Sequence, residues 1–374
     1  MNNYNLNEEI HFVKQSVNSA LDMLSEVYSS LIFKKLKMNL APSVMLWGAP
    51  GVGKSQLVYQ LAENLESSTG RKVIVTDVRL MLYNPIDLRG IPTANQDKTL
   101  AVWLKPKVFD MDESSGVINI LFLDEISACT PSVQAAAYQI TLDRVIGEHR
   151  LPDNCIVIAA GNRGTDKSVS YRMPNALANR LCHFEIVPSF SSWVSWAEKN
   201  SIDSRIINFL RFRNDRFYCE PENVNDLVYP TPRSWEMASN FIRIFNGDAD
   251  KAKNMIMGCV GISAAMDFFA WCRSDKKIPD TKDIFAGKNP EPPATTDEIY
   301  AMVSSMVSYA AKHTDDLNQI ANAIEYTFRI PADFSFSFVL SLMNISSDFS
   351  VKLLELPAYK KWIEKRGRMI NGIV

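Results

Sequence analysis

GAPGVGKS, at residues 48–55, decides the fold of this 374-residue chain. It follows an apolar run at 44–47 and precedes a helical pattern at 56–65. A strand, a glycine-rich turn and a helix N-terminus direct several backbone N–H groups at one anion, to which Lys54 adds a positive charge and Ser55 a hydroxyl for Mg²⁺. The stretch therefore predicts a loop that binds the phosphates of a nucleotide. Its predicted contacts are Gly48, Ala49, Pro50, Gly51, Val52, Gly53, Lys54, Ser55 and Gln56.

Length and composition are typical of a globular protein with more than one domain. The chain exceeds the size at which one hydrophobic core keeps growing, so two or three units are expected. Hydrophobic residues make up 47% and charged residues 22%, and a formal net charge of -2 gives no general attraction to nucleic acid or to an acidic membrane. Six cysteines without a CxxC pair favour a reducing compartment over a disulfide framework or a zinc site. Since no apolar run has the length of a membrane span and the N-terminus does not read as a signal peptide, we expect a cytoplasmic protein with no membrane partner.

Apolar runs that alternate with helical patterns predict an α/β nucleotide-binding core over residues 1–188. Each run has the length of a buried parallel strand. An interval at 78–115 is punctuated by Pro and Gly and is too long for an ordinary connection, so it predicts an insert that lines a pore, touches a partner or elaborates the surface. A hairpin is expected at 145–151, centred on Gly147. The predicted strands of a parallel five-stranded sheet are 44–47, 73–75, 117–123, 155–160 and 183–187.

Polar side chains follow two of the predicted strands. Asp124 and Glu125 come directly after the apolar part of the strand at 117–123. Asp124 would hold the Mg²⁺ shell together with Ser55, and Glu125 would accept the proton of the water that attacks the γ-phosphate. Asn162 follows the strand at 155–160, where it would sense the γ-phosphate or the attacking water; a turn-forming role is the alternative.

Two arginines beside predicted helix ends are further candidates. Arg180 ends a short helix predicted at 174–181, where the helix dipole favours a cation, so a purely local explanation also exists. Arg233 lies in the first turn of a helix that Thr231 can cap and Pro232 can start. A cation in a first turn opposes the dipole, and an external anion would offset that penalty. Arg233 is therefore a candidate phosphate contact from a second domain.

Beyond the core the sequence reads as almost wholly helical, with a helical lid expected at 189–275 and a C-terminal extension at 276–374. One lid helix is predicted over 255–271. Arginines interleaved with aromatic residues at 209–218 suggest base stacking, although their helical spacing is more typical of one packed and one solvated face. Upstream of the loop, an apolar stripe predicts a helix over 8–33 that either packs on the core or covers the adenine.

The order of these motifs resembles that of the AAA+ ATPases, and the residues within the motifs are similar to those of the MoxR-like branch. The resemblance spans 44–241 and is carried by DEISACTPSVQAAAYQITL, from Asp124 onward, and by RVIGEHRLPDNCIVIAAGN, which ends at Asn162. It implies that Asn162 is the sensor 1 residue, that Arg180 is the arginine finger and that Arg233 is the sensor 2 residue. The segment 78–115 then corresponds to the family's helix-2 insert.

The sequence also departs from that branch in one place. Many MoxR proteins read ATQNP where this chain reads AAGNR, so Arg163 and Arg172 are rival candidates for the cation that reaches a neighbouring subunit.

The resemblance implies an ATP-hydrolysing ring, a homo-oligomer expected to be a hexamer, with ATP and Mg²⁺ bound between subunits. Hydrolysis would be slow until the ring assembles, because the arginine finger comes from the neighbour. The implied action is chaperone-like remodelling or activation of a protein client, with a partner that carries a von Willebrand factor A domain. A chelatase-type motor subunit is a variant of this interpretation.

Two other classes of function compete with a protein-remodelling ring. A nucleic-acid-translocating motor is the first, but the near-neutral chain contains no recognisable DNA-binding module, which argues against nucleic acid as a partner. A nucleotide-locked scaffold without turnover is the second. It is disfavoured because Glu125 and Arg180 are both present.

Overall fold

The computed structural model describes residues 12–164, 171, 173, 178–220, 227–275 and 279–366. The chain divides into two compact units, residues 1–195 and 196–374. The predicted domain limits at 188 and 275 stay predictions.

The first unit alternates strands and helices along the chain, as the α/β pattern predicts. Its strands are β1 (Val13–Gln15), β2 (Val44–Trp47), β3 (Lys72–Arg79), β4 (Ile91–Ala94), β5 (Ala101–Leu104), β6 (Val117–Asp124), β7 (Val145–Ile146), β8 (His149–Arg150), β9 (Cys155–Gly161) and β10 (Cys182–Ile186). Its helices are α1 (Val17–Phe33), α2 (Lys54–Thr69), α3 (Pro85–Arg89), α4 (Pro131–Asp143) and α5 (Phe190–Lys199), which runs across the division between the units.

A parallel sheet of six strands, in the order β1-β10-β2-β9-β6-β3, forms the centre of this unit. The α/β fold is confirmed, but the predicted count of five strands is wrong. The sixth strand is β1, which pairs with β10 and falls inside the helix predicted over 8–33. That helix begins only at Val17, because Ser16 takes the N-cap position and accepts a hydrogen bond from the Ser19 N–H.

Helices cover both faces of the sheet. The strands β2 and β9 are buried along their whole length, and β6 is buried up to Leu123, as expected for central parallel strands. On one face α1 packs against α2, the helix that follows the phosphate-binding loop. On the other face Val133, Ala137 and Ile140 of α4 join a core with side chains from β2, β6 and β9. Strand ends are thereby held at fixed positions along one edge.

The predicted insert contains α3 and an antiparallel hairpin of β4 and β5. The hairpin expected at 145–151 is confirmed as β7 and β8, which turn at Gly147. The two hairpins touch, since the His149 ring Nε2 lies 2.8 Å from the Trp103 carbonyl oxygen. The insert is thus attached to the segment that leads into β9.

The second unit is helical. Thr231 accepts a hydrogen bond from the Ser234 N–H in a capping box, and Pro232 starts the helix, as predicted. The single helix predicted over 255–271 is wrong, because Gly261 adopts a φ of +85° and separates two helices. The helices of this unit are α6 (Ser204–Phe212), α7 (Pro232–Ile244), α8 (Lys253–Val260), α9 (Ile262–Asp275), α10 (Thr281–Phe285), α11 (Thr296–Lys312), α12 (Leu317–Tyr326), α13 (Ala332–Met343), α14 (Ser347–Glu355) and α15 (Pro357–Arg366).

The arginines at 209–218 pair with carboxylates. Arg211 contacts Glu198 at 2.9 Å, and Arg216 contacts Asp267 at 2.7 Å. Arg213 pairs with Asp215 at 2.8 Å. Carboxylates therefore compensate these charges, and since the helix in this stretch ends at Phe212, Arg213 and Arg216 lie beyond it.

Within the described parts of the chain, every helix is too short or too polar to cross a membrane.

We predict that Ser16→Ala destabilises the protein by about 1 kcal/mol, because the Ser19 N–H loses its cap at the start of α1. Ser30→Ala in the same helix is the matched control and should be nearly neutral, since Ala is the best helix former. Equilibrium urea unfolding measures both variants. Equal stabilities would contradict the importance of the cap in starting α1.

Candidate nucleotide site

The loop at 48–55 connects β2 to α2 and needs glycine at two positions. A Cβ on Gly48, whose φ is +152°, would lie 2.6 Å from the Ile186 carbonyl oxygen of β10. Gly53 has a φ of +105° and precedes the first helical residue, Lys54. Glycine adopts these backbone angles without a steric penalty, so the chain turns sharply from the strand into the helix. The N–H groups of the first turn of α2 therefore face the loop, as in an anion site.

Lys54 is only 9% exposed and its ammonium group lies inside the loop. Nζ donates to the Gly48 carbonyl oxygen at 2.6 Å and to the Ala49 carbonyl oxygen at 2.9 Å. It also donates to Oδ1 of Asn162 at 3.1 Å, although Asn162 is 108 residues away in sequence. The loop and the end of β9 are thus joined through one positive charge.

Ser55 and Asp124 meet beside the loop, because the end of β6 lies close to the start of α2. The Ser55 hydroxyl donates to Asp124 Oδ2 at 3.2 Å. The other carboxylate oxygen of Asp124 accepts the Glu125 N–H at 2.8 Å. Glu125 has a φ of +59°, a left-handed conformation that costs a non-glycine residue roughly 1–2 kcal/mol. The turn after β6 therefore holds the Glu125 backbone in a strained conformation, as often found at functional sites.

Ser127 is a supporting residue that sequence reasoning missed. It is buried, its hydroxyl accepts the Asn162 N–H at 2.9 Å, and its carbonyl oxygen accepts the Tyr171 N–H at 2.7 Å. Ser127 therefore fixes the turn after β6 to the end of β9. Its place three residues after Asp124 was the available signal, but a serine in a turn carries many alternative roles.

A second acidic group lies near the site. Asp77, close to the end of β3, accepts a hydrogen bond from the Tyr59 hydroxyl at 3.2 Å. Burial and the Asp77 carboxylate together raise the pKa of Tyr59. The other oxygen of Asp77 is buried and has no hydrogen-bond partner among the described residues. The tyrosine comes one turn after Ser55 on α2, so this pair borders the Ser55 and Asp124 contact.

Arg180 lies away from this cluster. It belongs to the turn that precedes β10, and the first residue of β10, Cys182, pairs with the first residue of β2, Val44. The loop leaves the opposite end of β2, and a four-residue strand spans on the order of 10 Å. Arg180 is exposed and pairs with none of the described residues. Lys54, Asp124 and Asn162 are therefore at one edge of the sheet and Arg180 is at the other.

The rival arginines have different positions. Arg163, after β9, donates to the Glu185 carboxylate of the same chain at 2.5 Å. Glu185 is buried, with a side chain that is 6% exposed, so its charge is compensated by Arg163. Arg172 lies outside the described residues.

Two further predicted contacts lie at the surface. Gln56 is exposed in the first turn of α2. Arg233 is exposed in the first turn of α7, within the second unit. Its role as a phosphate contact stays a prediction.

The residues at the loop fit a nucleoside triphosphate with a hard divalent cation. Backbone N–H groups and Lys54 suit phosphate oxygens. Ser55 and Asp124 offer hydroxyl and carboxylate oxygens 3.2 Å apart, the donor types that Mg²⁺ prefers. When bound there, Mg²⁺ would neutralise charge on the phosphates.

This fold and loop define a P-loop nucleotide-hydrolase core. Residues 43–183 match the ATPase family associated with various cellular activities (AAA). The matched segment contains the loop, Asp124, Glu125, Asn162 and Arg180. This similarity, together with the loop, identifies the protein as an enzyme that binds and hydrolyses ATP.

The solved structures that match this chain share little sequence with it. NtrX of Brucella abortus in complex with ATP has 14% identity and a TM-score of 0.37, covering 90% of this chain and 69% of its own. ORC1 of Aeropyrum pernix in complex with DNA has 14% identity and a TM-score of 0.38, covering 81% of each chain. A RuvB mutant of Thermotoga maritima has 14% identity and a TM-score of 0.33, covering 93% and 86%.

Gly48→Ala should weaken ATP binding by more than roughly 10-fold, a loss above ~1.4 kcal/mol, because the added Cβ collides with the Ile186 carbonyl and displaces the loop. Gly116→Ala is the matched control, since its Cβ would meet nothing within 4 Å. Titration with a fluorescent ATP analogue measures both. Unchanged affinity in Gly48→Ala would contradict the close approach of loop and strand.

Ser127→Ala should lower ATP turnover by roughly 10-fold or more while ATP affinity is kept, because the Asn162 N–H loses its acceptor and the side chain shifts beside the reacting phosphate. Ser132→Ala, an exposed position on α4, should behave as the wild type. Steady-state ATPase assays give kcat and KM. A loss confined to affinity would show that Ser127 supports the loop and not the reaction.

Proposed function

We propose that this protein is a ring-forming AAA+ ATPase of the MoxR type that remodels or activates a protein partner. The observation that carries the proposal is the separation of Arg180 from the Lys54, Asp124 and Asn162 cluster, which lie at opposite ends of the strands. A cation at the far edge cannot reach the phosphates of its own loop. It suits a neighbouring subunit, so each ATP would lie between two copies of the chain.

Roles follow for the residues of one subunit. Lys54 and the loop bind the phosphates, and Ser55 and Asp124 would hold Mg²⁺. Glu125 would take the proton of the attacking water, and Asn162 would orient that water or sense the γ-phosphate. The contact of Asn162 with Lys54 supports a position at the phosphates rather than a turn-forming role alone.

The arginine of the neighbour would complete this site. An arginine finger contributes roughly 10³–10⁵ to kcat. Arg163 is a weaker candidate than Arg180, because it compensates a buried carboxylate of its own chain. A hexamer is the ring size that the MoxR resemblance implies.

Exposed apolar side chains on the insert support a protein client. Leu82 is 78% exposed, Leu100 is 67% exposed and Ile91 is 61% exposed. Apolar groups on such a surface favour contact with protein over a phosphate backbone. The arginines at 209–218 are paired with carboxylates, which weakens the nucleic-acid alternative. A von Willebrand factor A domain partner is the finer expectation from the resemblance, and Arg233 would relate nucleotide loss to movement of the lid.

Glu125→Gln should retain ATP binding and lose roughly 10²–10⁴-fold in turnover, since the amide cannot accept the proton of water. Glu113→Gln, at an exposed position outside the site, is the control. Single-turnover ATPase assays and ATP titration measure the variants. Near-normal turnover would remove Glu125 from the role of base.

An ATP-locked Glu125→Gln ring should also hold its client, and direct binding to a purified von Willebrand factor A domain tests that partner.

Mixing inactive Arg180→Ala subunits with inactive Lys54→Ala subunits should restore activity, because some sites then combine an intact loop with an intact arginine. Native mass spectrometry confirms that mixed assemblies form. Mixed assemblies without recovered activity would exclude Arg180 as a residue that acts between subunits.

A further inference from the structure

A chain of side-chain hydrogen bonds crosses the face of the sheet from the phosphate-binding loop to the turn that carries Arg180. It starts at Trp47, the residue directly before the loop. Trp47 Nε1 donates to Nδ1 of His183 on β10 at 2.9 Å. The second ring nitrogen, Nε2, lies 2.7 Å from the Ala178 carbonyl oxygen.

The two contacts assign the tautomer of His183. Indole Nε1–H is only a donor, so Nδ1 of the imidazole must accept. The Ala178 carbonyl is only an acceptor, so Nε2 carries the proton and donates. His183 is therefore a neutral ring with each nitrogen committed to a different partner.

Ala178 closes the turn that contains Arg180. Its carbonyl oxygen accepts the Leu181 N–H at 3.1 Å, so Asn179 and Arg180 are the central residues of this turn. The same oxygen accepts the His183 ring. A change in the position of His183 would thus move the turn from which Arg180 projects.

The Trp47 and His183 rings are also held by stacking. Phe12, directly before β1, stacks on Trp47 with ring centroids 5.4 Å apart and on His183 with centroids 5.3 Å apart. Trp47 is 8% exposed, so its ring has a packed and defined position. Three aromatic rings thereby connect the ends of β1, β2 and β10.

We propose that His183 is the positioning residue for Arg180, and that Trp47 connects that position to the phosphate-binding loop of the same subunit. This inference rests on the proposed action of Arg180 on a neighbouring subunit. The ATP site of one subunit would thereby influence the arginine that it supplies to the next site. Such a connection would link neighbouring sites in the ring through one chain of hydrogen bonds.

The test uses mixed rings in which wild-type subunits are diluted into a large excess of Lys54→Ala subunits. The Lys54→Ala subunits lack an active loop but still supply Arg180 to wild-type sites. Three further mixtures add Arg180→Ala, His183→Asn or His183→Gln to the Lys54→Ala subunits. Asn is too short to reach Ala178, whereas the Gln amide can donate from a position near that of Nε2.

We expect His183→Asn in the supplying subunit to lower kcat of the wild-type sites by roughly 10-fold to 100-fold with KM unchanged, and His183→Gln to restore much of it. Trp47→Phe keeps an aromatic ring but removes the indole N–H, and should give a smaller loss in the same assay. It also serves as the test if His183→Asn subunits do not fold.

The outcomes separate this inference from the proposed function. If Arg180→Ala abolishes turnover of the wild-type sites while His183→Asn and Trp47→Phe leave it intact, His183 does not position Arg180 and the shared site stands. If Arg180→Ala has no effect, the shared site fails and the positioning role fails with it. A loss in His183→Asn that Gln does not relieve would overturn the hydrogen bond to Ala178 as the cause.

Discussion

Parallel pairing places the C-terminal ends of all strands at one edge of the sheet, and the rest of the site depends on this constraint. It brings Asp124, at the end of β6, within hydrogen-bond distance of Ser55, and Asn162, after β9, within hydrogen-bond distance of Lys54, although more than a hundred residues separate Lys54 from Asn162. The same constraint sends the turn before β10 to the opposite edge. The phosphate-binding loop and Arg180 therefore lie at opposite ends of the strands.

Backbone and side-chain contacts together fix the position of the loop and of the strand ends beside it. Gly48 permits β10 to approach the loop, Ser127 fixes the end of β9, and the left-handed Glu125 sets the direction of the chain after β6. Several of these contacts involve buried polar groups, and leaving such a group without a hydrogen-bond partner costs free energy. A small displacement of the loop at the phosphates would therefore also shift β9 and β10. His183 extends these contacts to the turn that carries Arg180, and in the proposed ring they would connect neighbouring sites.

Most of the site could be predicted from the sequence because its signals are local. A glycine-rich loop, two acids after an apolar run and an asparagine after the next strand each depend on neighbours in sequence. Strand β1 could not be predicted, since its three residues, two exposed and one partly buried, become a strand only by pairing with β10. The break at Gly261 was missed because apolar periodicity continues through it. Nothing in the neighbouring sequence marks Ser127, Trp47 or His183 as functional, because the residues that they contact lie far away in sequence.

We propose that each ATP site is completed by another copy of the chain. The specific ATPase rate, measured across a wide range of protein concentration with the assembly state followed by light scattering, tests this proposal. We expect a rate per subunit that rises in parallel with the assembled fraction, and Arg180→Ala should remain slow even when fully assembled. A rate per subunit that is constant from dilute monomer to ring would contradict it.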